Sequence, residues 1–202
     1  MVALHSKDAV GDLAAVRGRG VPSAGLVDFR RAVKLPDGTA DEAVVSLAML
    51  IDPVYPQLSN FICQQHRPEF VWVAEWLRHP NGVTGIASVV YAAAELAAVR
   101  PRFAALWGEA AVSAVPHGFR VATAGGDIVV LDHAGAAARF AGTTQPVGWQ
   151  DVPCAIALGV RAPDRGLVQS FLEGNSVPFT VAGETLRVGP PHPGNIVLEF
   201  QP

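Results

Sequence analysis

The chain has 202 residues, of which 50% are hydrophobic and 16% charged, a composition that predicts a globular protein with a sizeable core. The formal net charge is -3 at pH 7 and no run of lysine or arginine occurs, which argues against a nucleic-acid partner. The most apolar stretches are interrupted before they reach the roughly 20 residues needed to span a bilayer, so we also expect no membrane partner.

The N-terminus, "MVALHSKDAV", lacks the basic start, apolar run and cleavage site of a signal peptide, which favours a cytoplasmic location. Cys63 and Cys154 each lie inside an apolar, strand-like run. In a reducing compartment this pattern indicates two small buried thiols in preference to a disulfide.

Three successive segments share one order of elements: a short apolar strand, a helix, then two or three strands separated by turns. In the first segment, module A, the strand is "VALHS", the helix is "KDAVGDLAAVRGRG", and the later strands are "GLVDFRRAVKL", "EAVVSLAML" and "SNFICQQH". Module B begins with the strand "TGIASVVYA", continues with a helix that ends at Gly108, and closes with "VSAV", "FRVATA" and "DIVVLD". Module C consists of "CAIALGV", the helix "PDRGLVQSFLEGN", and the strands "PFTVAG", "ETLRVG" and "NIVLEFQ".

This order predicts an α+β protein of repeated βαβββ modules, with curled, antiparallel-rich sheets and helices on their outer faces. We expect module A at residues 1–67, a linker helix at 68–83, and the paired modules B and C at 84–202.

The joint between modules A and B, "FICQQHRPEFVWVAEWLRHPNG", is unusually rich in histidine, glutamate and tryptophan. His66 and His79 have spacings to nearby glutamates that suit metal ligands on a helix, but Pro68 and Pro80 prevent one continuous helical face. Three roles remain open: packing of the linker, lining of a ligand site, and metal binding. The first is favoured because tryptophans four residues apart would align on one side of a helix packed on the core.

The closing stretch of module C, "PHPGNIVLEFQ", resembles the last hairpin of the vicinal oxygen chelate superfamily, the glyoxalase and dioxygenase fold. "IASVVYAAAELAAV" is similar to the first strand and helix start of that superfamily, and "CQQHRPEFVW" with "HPNG" resembles the joint of a bacterial glyoxalase-like subfamily. The resemblance implies that modules B and C form one cup, with ligand-binding side chains on the first and last strands of each module.

Carried onto this chain, the resemblance places Glu199 at a ligand position of the last strand and Ser88 at one of the first strand. The corresponding positions fall near Cys154 or Ala155 in module C, and near Leu131 or Asp132 on the last strand of module B. Only Glu199 keeps a ligand type without strain, so a divalent metal is possible but disfavoured, and the cofactor stays unassigned.

Other candidate site residues are weaker. His117 precedes a glycine in a turn that would face the cup, where Arg120 could hold a carboxylate or carbonyl oxygen. Trp149 precedes module C and could cover a ligand. His5, on the first strand of module A, is a weak metal candidate.

Two functional hypotheses follow. The first is a glyoxalase-like or dioxygenase-like lyase or oxygenase, with Glu199 and His117 as catalytic residues and Arg120, Trp149 and Ser88 binding a small carbonyl or oxygenated substrate. The second is a metal-free protein of the same fold that binds or sequesters a small molecule, similar to bleomycin-resistance proteins. Whether the chain is an enzyme stays open at this point.

Module A has no partner module within the chain, because modules B and C satisfy each other. Its apolar sheet face therefore predicts a homodimer in which the same module of a second copy covers it. Folding of module A back onto the B–C pair is the alternative.

Overall fold

The computed structural model describes all 202 residues, which form two compact units, Met1–Leu77 and Arg78–Pro202. Both units combine a sheet with helices, and strands predominate. The α+β class of repeated βαβββ modules predicted from the sequence is confirmed. No helix is both long and apolar enough to cross a membrane.

The first unit is a single βαβββ module with a four-stranded sheet in the order β1-β4-β3-β2. Its elements are β1 (Val2–Ser6), α1 (Ala9–Gly18), β2 (Gly25–Lys34), β3 (Ala40–Leu50) and β4 (Asn60–Gln65). Strand β1 is parallel to β4, whereas the other neighbours are antiparallel. Asp8 begins α1 by accepting a hydrogen bond from the Gly11 N–H, and Leu13 and Val16 are the buried side of that helix.

The second unit contains two βαβββ modules joined into one eight-stranded sheet, in the order β10-β11-β12-β9-β5-β8-β7-β6. The B half comprises β5 (Gly85–Ala92), α2 (Leu96–Trp107), β6 (Val112–Val115), β7 (Gly118–Ala122) and β8 (Asp127–Leu131). The C half comprises β9 (Cys154–Arg161), α4 (Arg165–Gly174), β10 (Thr180–Ala182), β11 (Thr185–Val188) and β12 (Val197–Gln201). In each half the first strand is parallel to the last, and the two first strands, β5 and β9, pair antiparallel at the centre.

Helices α2 and α4 cover the outer face of this sheet. In the B half the packing is aromatic: the Phe103 ring lies 5.6 Å from that of Tyr91 and 5.5 Å from that of Phe119. In the C half it is mainly aliphatic, with Val168 and Leu172 of α4 in one buried cluster with the strand residues Val160, Leu186, Val188 and Phe200. Because strand side chains alternate between faces, the intervening residues point to the inner face.

A helix that the sequence analysis did not assign, α3 (His133–Arg139), lies between the two halves. Asp132 caps it by accepting a hydrogen bond from the Gly135 N–H at 2.6 Å. Ala136 and Phe140 are buried together with the inner-face residues Val90, Ala157 and Val197. The inner face is therefore partly filled by the chain itself.

The linker helix expected at 68–83 is wrong. Only a 3₁₀ turn, Pro68–Phe70, and further turns occupy this stretch. Trp72 and Trp76 are 54% and 43% exposed, so the packing expected of them is also wrong.

Candidate functional site

Strand register identifies four equivalent positions at the centre of the inner face of the eight-stranded sheet. Ser88 on β5 is opposite both Asp127 on β8 and Gly159 on β9, and Gly159 is in turn opposite Glu199 on β12. Asp127 and Glu199 therefore occupy matching places on the last strands of the two halves.

This register corrects two positions inferred by counting along the sequence. The counterpart of Ser88 in the C half is Gly159, because Cys154 and Ala155 lie opposite Ala92 and Tyr91. The inner-face carboxylate of β8 is Asp127, at the start of the strand, in place of the Leu131 or Asp132 region. Counting along the chain misses both positions because pairing with the neighbouring strands sets the register.

The Glu199 carboxylate lies at the centre of a buried ion triad. Its side chain is 1% exposed. Arg187 Nε donates to Oε1 at 3.0 Å, and Arg139 Nη2 donates to Oε2 at 2.7 Å. Both arginines also lie over the Phe140 ring, at 5.3 Å and 5.6 Å from its centroid. Each carboxylate oxygen is thus engaged by a cation inside the protein.

Gln201 connects the triad to Ser88. Its Nε2 lies 3.4 Å from Glu199 Oε2 and 3.4 Å from Ser88 Oγ. A side chain at Gly159 would be too close to both, since a Cβ there would lie 2.3 Å from Ser88 Oγ and 2.7 Å from Gln201 Nε2. Ser88 is buried and does not line either of the two cavities described below.

The equivalent carboxylate of the B half is held by a single arginine. Arg120 donates to Asp127 from Nε at 2.6 Å and from Nη2 at 2.8 Å, a two-bond fork. The side chains are 44% and 33% exposed, and the Asp127 carboxylate raises the pKa of Arg120.

Two cavities open on the inner face, one in each half. The B-half cavity has a volume of about 330 Å³ and lies between strands β6–β8 and helix α3. Its walls are the apolar residues Val115, Pro116, Val129, Leu131, Gly135 and Ala138, together with His117, Arg120 and Arg139. The C-half cavity, about 160 Å³, includes Thr180, Arg187 and His192. The Glu199 triad thus lies between the two cavities, because Arg139 lines one of them and Arg187 lines the other.

His117 faces the B-half cavity from the β6–β7 turn, as the sequence suggested, and has a left-handed φ of 61°. Its Nδ1 lies 3.4 Å from Asp132 Oδ2. The Gly135 N–H lowers the pKa of the Asp132 carboxyl, and the neighbouring His117 adds to this lowering.

Two other candidates lie away from the cavities. The half-buried Trp149 makes an edge-to-face contact with His133 at 5.2 Å and packs on the buried cluster beneath α3. His5 is exposed on β1 of the first unit, opposite Cys63.

The residues at the ligand positions inferred from the sequence resemblance do not fit a divalent metal. Ser88 supplies a neutral hydroxyl, Gly159 supplies no side chain, and both carboxylates are bonded to arginines. No group of three or more His, Cys, Asp or Glu side chains is arranged to hold a metal ion. Three guanidinium groups in this region would also repel a dication.

Sequence reasoning missed three residues that define the site: Asp127, Arg139 and Arg187. A signal existed for Arg187, which lies between Leu186 and Val188 and so must point to the face opposite theirs. No local signal identified Arg139, because its position depends on the unassigned helix α3.

Comparison with known proteins supports the fold and gives no function. No family model and no curated protein matches the chain. A hypothetical protein from Staphylococcus aureus has a similar crystal structure, with a TM-score of 0.62, 9% sequence identity and coverage of 99% of this chain. The chain spans 64% of the length of that protein. At this identity the likeness shows the fold alone.

A second solved structure, methylmalonyl-CoA epimerase from Mycobacterium tuberculosis, has a TM-score of 0.45 and 17% identity. The match covers 63% of this chain and 93% of that one. A similarity of this extent carries no argument about chemistry.

Proposed function

We propose that the protein is a metal-independent small-molecule binding protein of the vicinal oxygen chelate superfamily, with its ligand site in the B-half cavity. One observation carries the proposal. Glu199, the carboxylate that the superfamily resemblance marks as a metal ligand, is 1% exposed and has both oxygens bonded to arginines. Releasing it to a metal would leave two partly buried cations without their counter-ion.

The B-half cavity has the character of a ligand site. Its volume of about 330 Å³ is within the range of small-molecule pockets, and its lining is mostly apolar. His117, Arg120 and Arg139 supply the few polar groups that would fix the orientation of a ligand.

A thermal-shift screen of a metabolite library tests this proposal. A ligand present at 100 times its dissociation constant adds about 2.7 kcal/mol of stability, which raises the melting temperature by several degrees. The variant Ala138→Phe should fill the cavity and abolish the shift. Ala137→Phe is the matched control, because Ala137 is exposed on the same helix and does not line the cavity. A ligand that binds Ala138→Phe as well as the unmodified protein would refute the site.

His117 favours a second candidate function, a metal-independent acid–base enzyme. Its ring lines the B-half cavity and lies 3.4 Å from the Asp132 carboxylate, an arrangement in which a histidine can exchange a proton with a bound substrate. Conversion of the ligand to a product, lost in His117→Gln while binding persists, would establish the enzyme. A ligand that stays chemically unchanged after prolonged incubation would contradict the enzyme and favour the binding function.

We also propose that the first unit forms a homodimer through β1. In the second unit the two modules are joined by antiparallel pairing of their first strands, β5 and β9. Strand β1 is the first strand of the first unit and pairs only with β4, so its outer edge is free to pair with β1 of a second copy. Val27 and Phe29, 51% and 43% exposed on β2 at the opposite edge of the sheet, lie on the same face as His5 and add apolar surface to that face.

Sedimentation equilibrium of the full chain tests this pairing. Ala3→Pro removes one backbone donor from the exposed strand β1 and should shift a dimer toward monomer. Val10→Ser, at a 62% exposed position of α1, is the control and should leave the dimer intact. A monomer of 21.2 kDa in the unmodified protein would contradict the proposal.

Cys63 and Cys154 are both free thiols. We propose a reducing, cytoplasmic location, with which two free thiols are compatible.

A further inference from the structure

The inner face of the eight-stranded sheet brings three guanidinium groups together with the carboxylates of Asp127 and Glu199. Arg120 is paired with Asp127, whereas Arg139 and Arg187 share Glu199. Because one carboxylate serves two arginines, these arginines have hydrogen-bond donors left beyond their ion pair. A bound anion would use those donors.

Hydrogen bonding identifies Arg139 as the arginine with capacity to spare. Arg120 uses two nitrogens in its fork with Asp127. Arg187 is the direct register partner of Glu199 on the neighbouring strand, and only 11% of its side chain is exposed. Arg139 reaches Glu199 through Nη2 alone, and its buried Nε has no hydrogen-bond partner within the protein.

The position of Arg139 links this free capacity to a cavity. The residue lies at the end of α3, lines the B-half cavity, and is 29% exposed, so a ligand there can reach the exposed part of its side chain, whereas the buried Nε becomes available only when the side chain shifts. Around it the walls are formed by Val129, Leu131 and Ala138. The site therefore combines one available cation with an open cavity whose lining is mostly apolar.

We propose that the ligand of the B-half cavity is a monocarboxylate with a small apolar body, whose carboxylate binds Arg139. This inference rests on the proposed function and adds the chemical class of the ligand. A carboxylate presents two acceptor oxygens to the one arginine with donors to spare, whereas a phosphate group carries about −1.5 to −2 charges at neutral pH and is harder to desolvate beside a mostly apolar lining. Planar carboxylates also match the donor geometry of a guanidinium group.

Isothermal titration calorimetry with matched pairs of ligands tests the inference. The probes are hexanoate, benzoate and phenylacetate, each beside its primary amide, and inorganic phosphate. We expect at least one acid to bind about tenfold or more tighter than its amide, the difference expected when a charge-assisted hydrogen bond is lost. Phosphate should bind more weakly than that acid.

Variants at the two arginines of the triad separate ligand binding from maintenance of the Glu199 ion pair. Arg139→Gln should lower acid affinity about tenfold or more, and Arg139→Lys should restore part of it because the charge returns. Arg187→Gln removes the other cation from Glu199 without altering the lining of the B-half cavity. It should therefore change acid affinity much less, provided that circular dichroism shows a folded protein.

Nuclear magnetic resonance gives a direct readout in the unmodified protein. The Nε–H resonance of Arg139, assigned by its loss in Arg139→Lys, should shift on addition of the acid and stay in place on addition of the amide. The Arg187 Nε–H, already bonded to Glu199, should move much less.

The outcomes distinguish this inference from the function on which it rests. Equal binding of acid and amide, both abolished by Ala138→Phe, would overturn the carboxylate assignment and leave the binding function intact. Stronger binding of phosphate, or no binding of any acid at millimolar concentration, would also overturn the assignment. A stoichiometric metal held by Glu199 would overturn the proposed function itself.

Discussion

The B and C halves of the eight-stranded sheet each carry a carboxylate at the same strand position, but the two carboxylates differ in burial and in the number of arginine partners. In the B half, Asp127 meets one arginine at a largely solvated site. In the C half, Glu199 is 1% exposed and meets two arginines, one of them delivered by α3. The comparison shows that one fold position can hold a surface ion pair or a buried charge cluster, depending on what covers it.

The difference has an energetic consequence. An exposed ion pair gains little, because water already solvates both charges and the side chains lose conformational freedom. A buried cluster depends on every member, because loss of one charge leaves the others unsolvated. We therefore expect neutralisation of Glu199 to lower the stability of the protein far more than neutralisation of Asp127.

The largest predicted effect is that of Glu199→Gln, which leaves Arg139 and Arg187 without an anion. It should lower the free energy of unfolding of the second unit by about 3–5 kcal/mol, whereas Asp127→Asn should have a much smaller effect. Urea titration followed by hydrogen exchange of peptides from β5 and β9 would measure both. Equal losses in the two variants would break the comparison.

Alkaline pH should destabilise the B half through Tyr91. Burial raises the pKa of Tyr91 from 10.0 to about 12, so the folded state favours the neutral phenol. This contribution, up to about 3 kcal/mol, is complete below pH 10 and is lost as pH rises from 10 through about 12.

Tyr91→Phe is the control for the alkaline effect, because it keeps the ring against Phe103 and removes the ionisable group. The loss of stability between pH 10 and 12 should be smaller in this variant, as measured by urea unfolding at each pH. An identical pH dependence in both proteins would show that another group is responsible.

A smaller difference in stability is predicted between two glycine-to-alanine substitutions, one in α3 and one in α4. A Cβ at Gly135 of α3 would lie 2.4 Å from His117 Cβ, so Gly135→Ala should cost about 1–3 kcal/mol. At Gly174, the last residue of α4, nothing lies within 4 Å, and Gly174→Ala should be neutral or stabilising by up to about 1 kcal/mol. Differential scanning calorimetry would compare them, and a stable Gly135→Ala protein would contradict the packing of α3 against the His117 turn.

The sequence contained enough information for the fold, because its three repeats of strand, helix and strands have clear periodicity and turns. It did not contain enough for the site. Glu199 was recognised, yet its two cationic partners were not, since Arg139 belongs to a helix of seven residues whose alanine-rich sequence has no strong amphipathic pattern. The linker helix was predicted from tryptophans four residues apart, a spacing that does not by itself require a helix, and the stretch forms turns.

Counting residues along the sequence also could not predict which inner-face residues lie opposite one another. The irregular pairing of β5 with β9 decides that Ser88 lies opposite Gly159, and such irregularities leave little trace in composition. His117 and Arg120 were placed beside a cavity as expected, because a turn next to alternating strand residues fixes their direction locally.

Elemental analysis of the full chain tests the central claim, that Glu199 is a structural counter-ion and not a metal ligand. The protein would be produced in medium supplemented with iron, zinc and nickel, purified without chelators and dialysed. We predict substoichiometric amounts of each metal, both in the unmodified protein and in a folded Glu199→Gln variant. One equivalent of a metal that survives dialysis in the unmodified protein and disappears in Glu199→Gln would contradict the account.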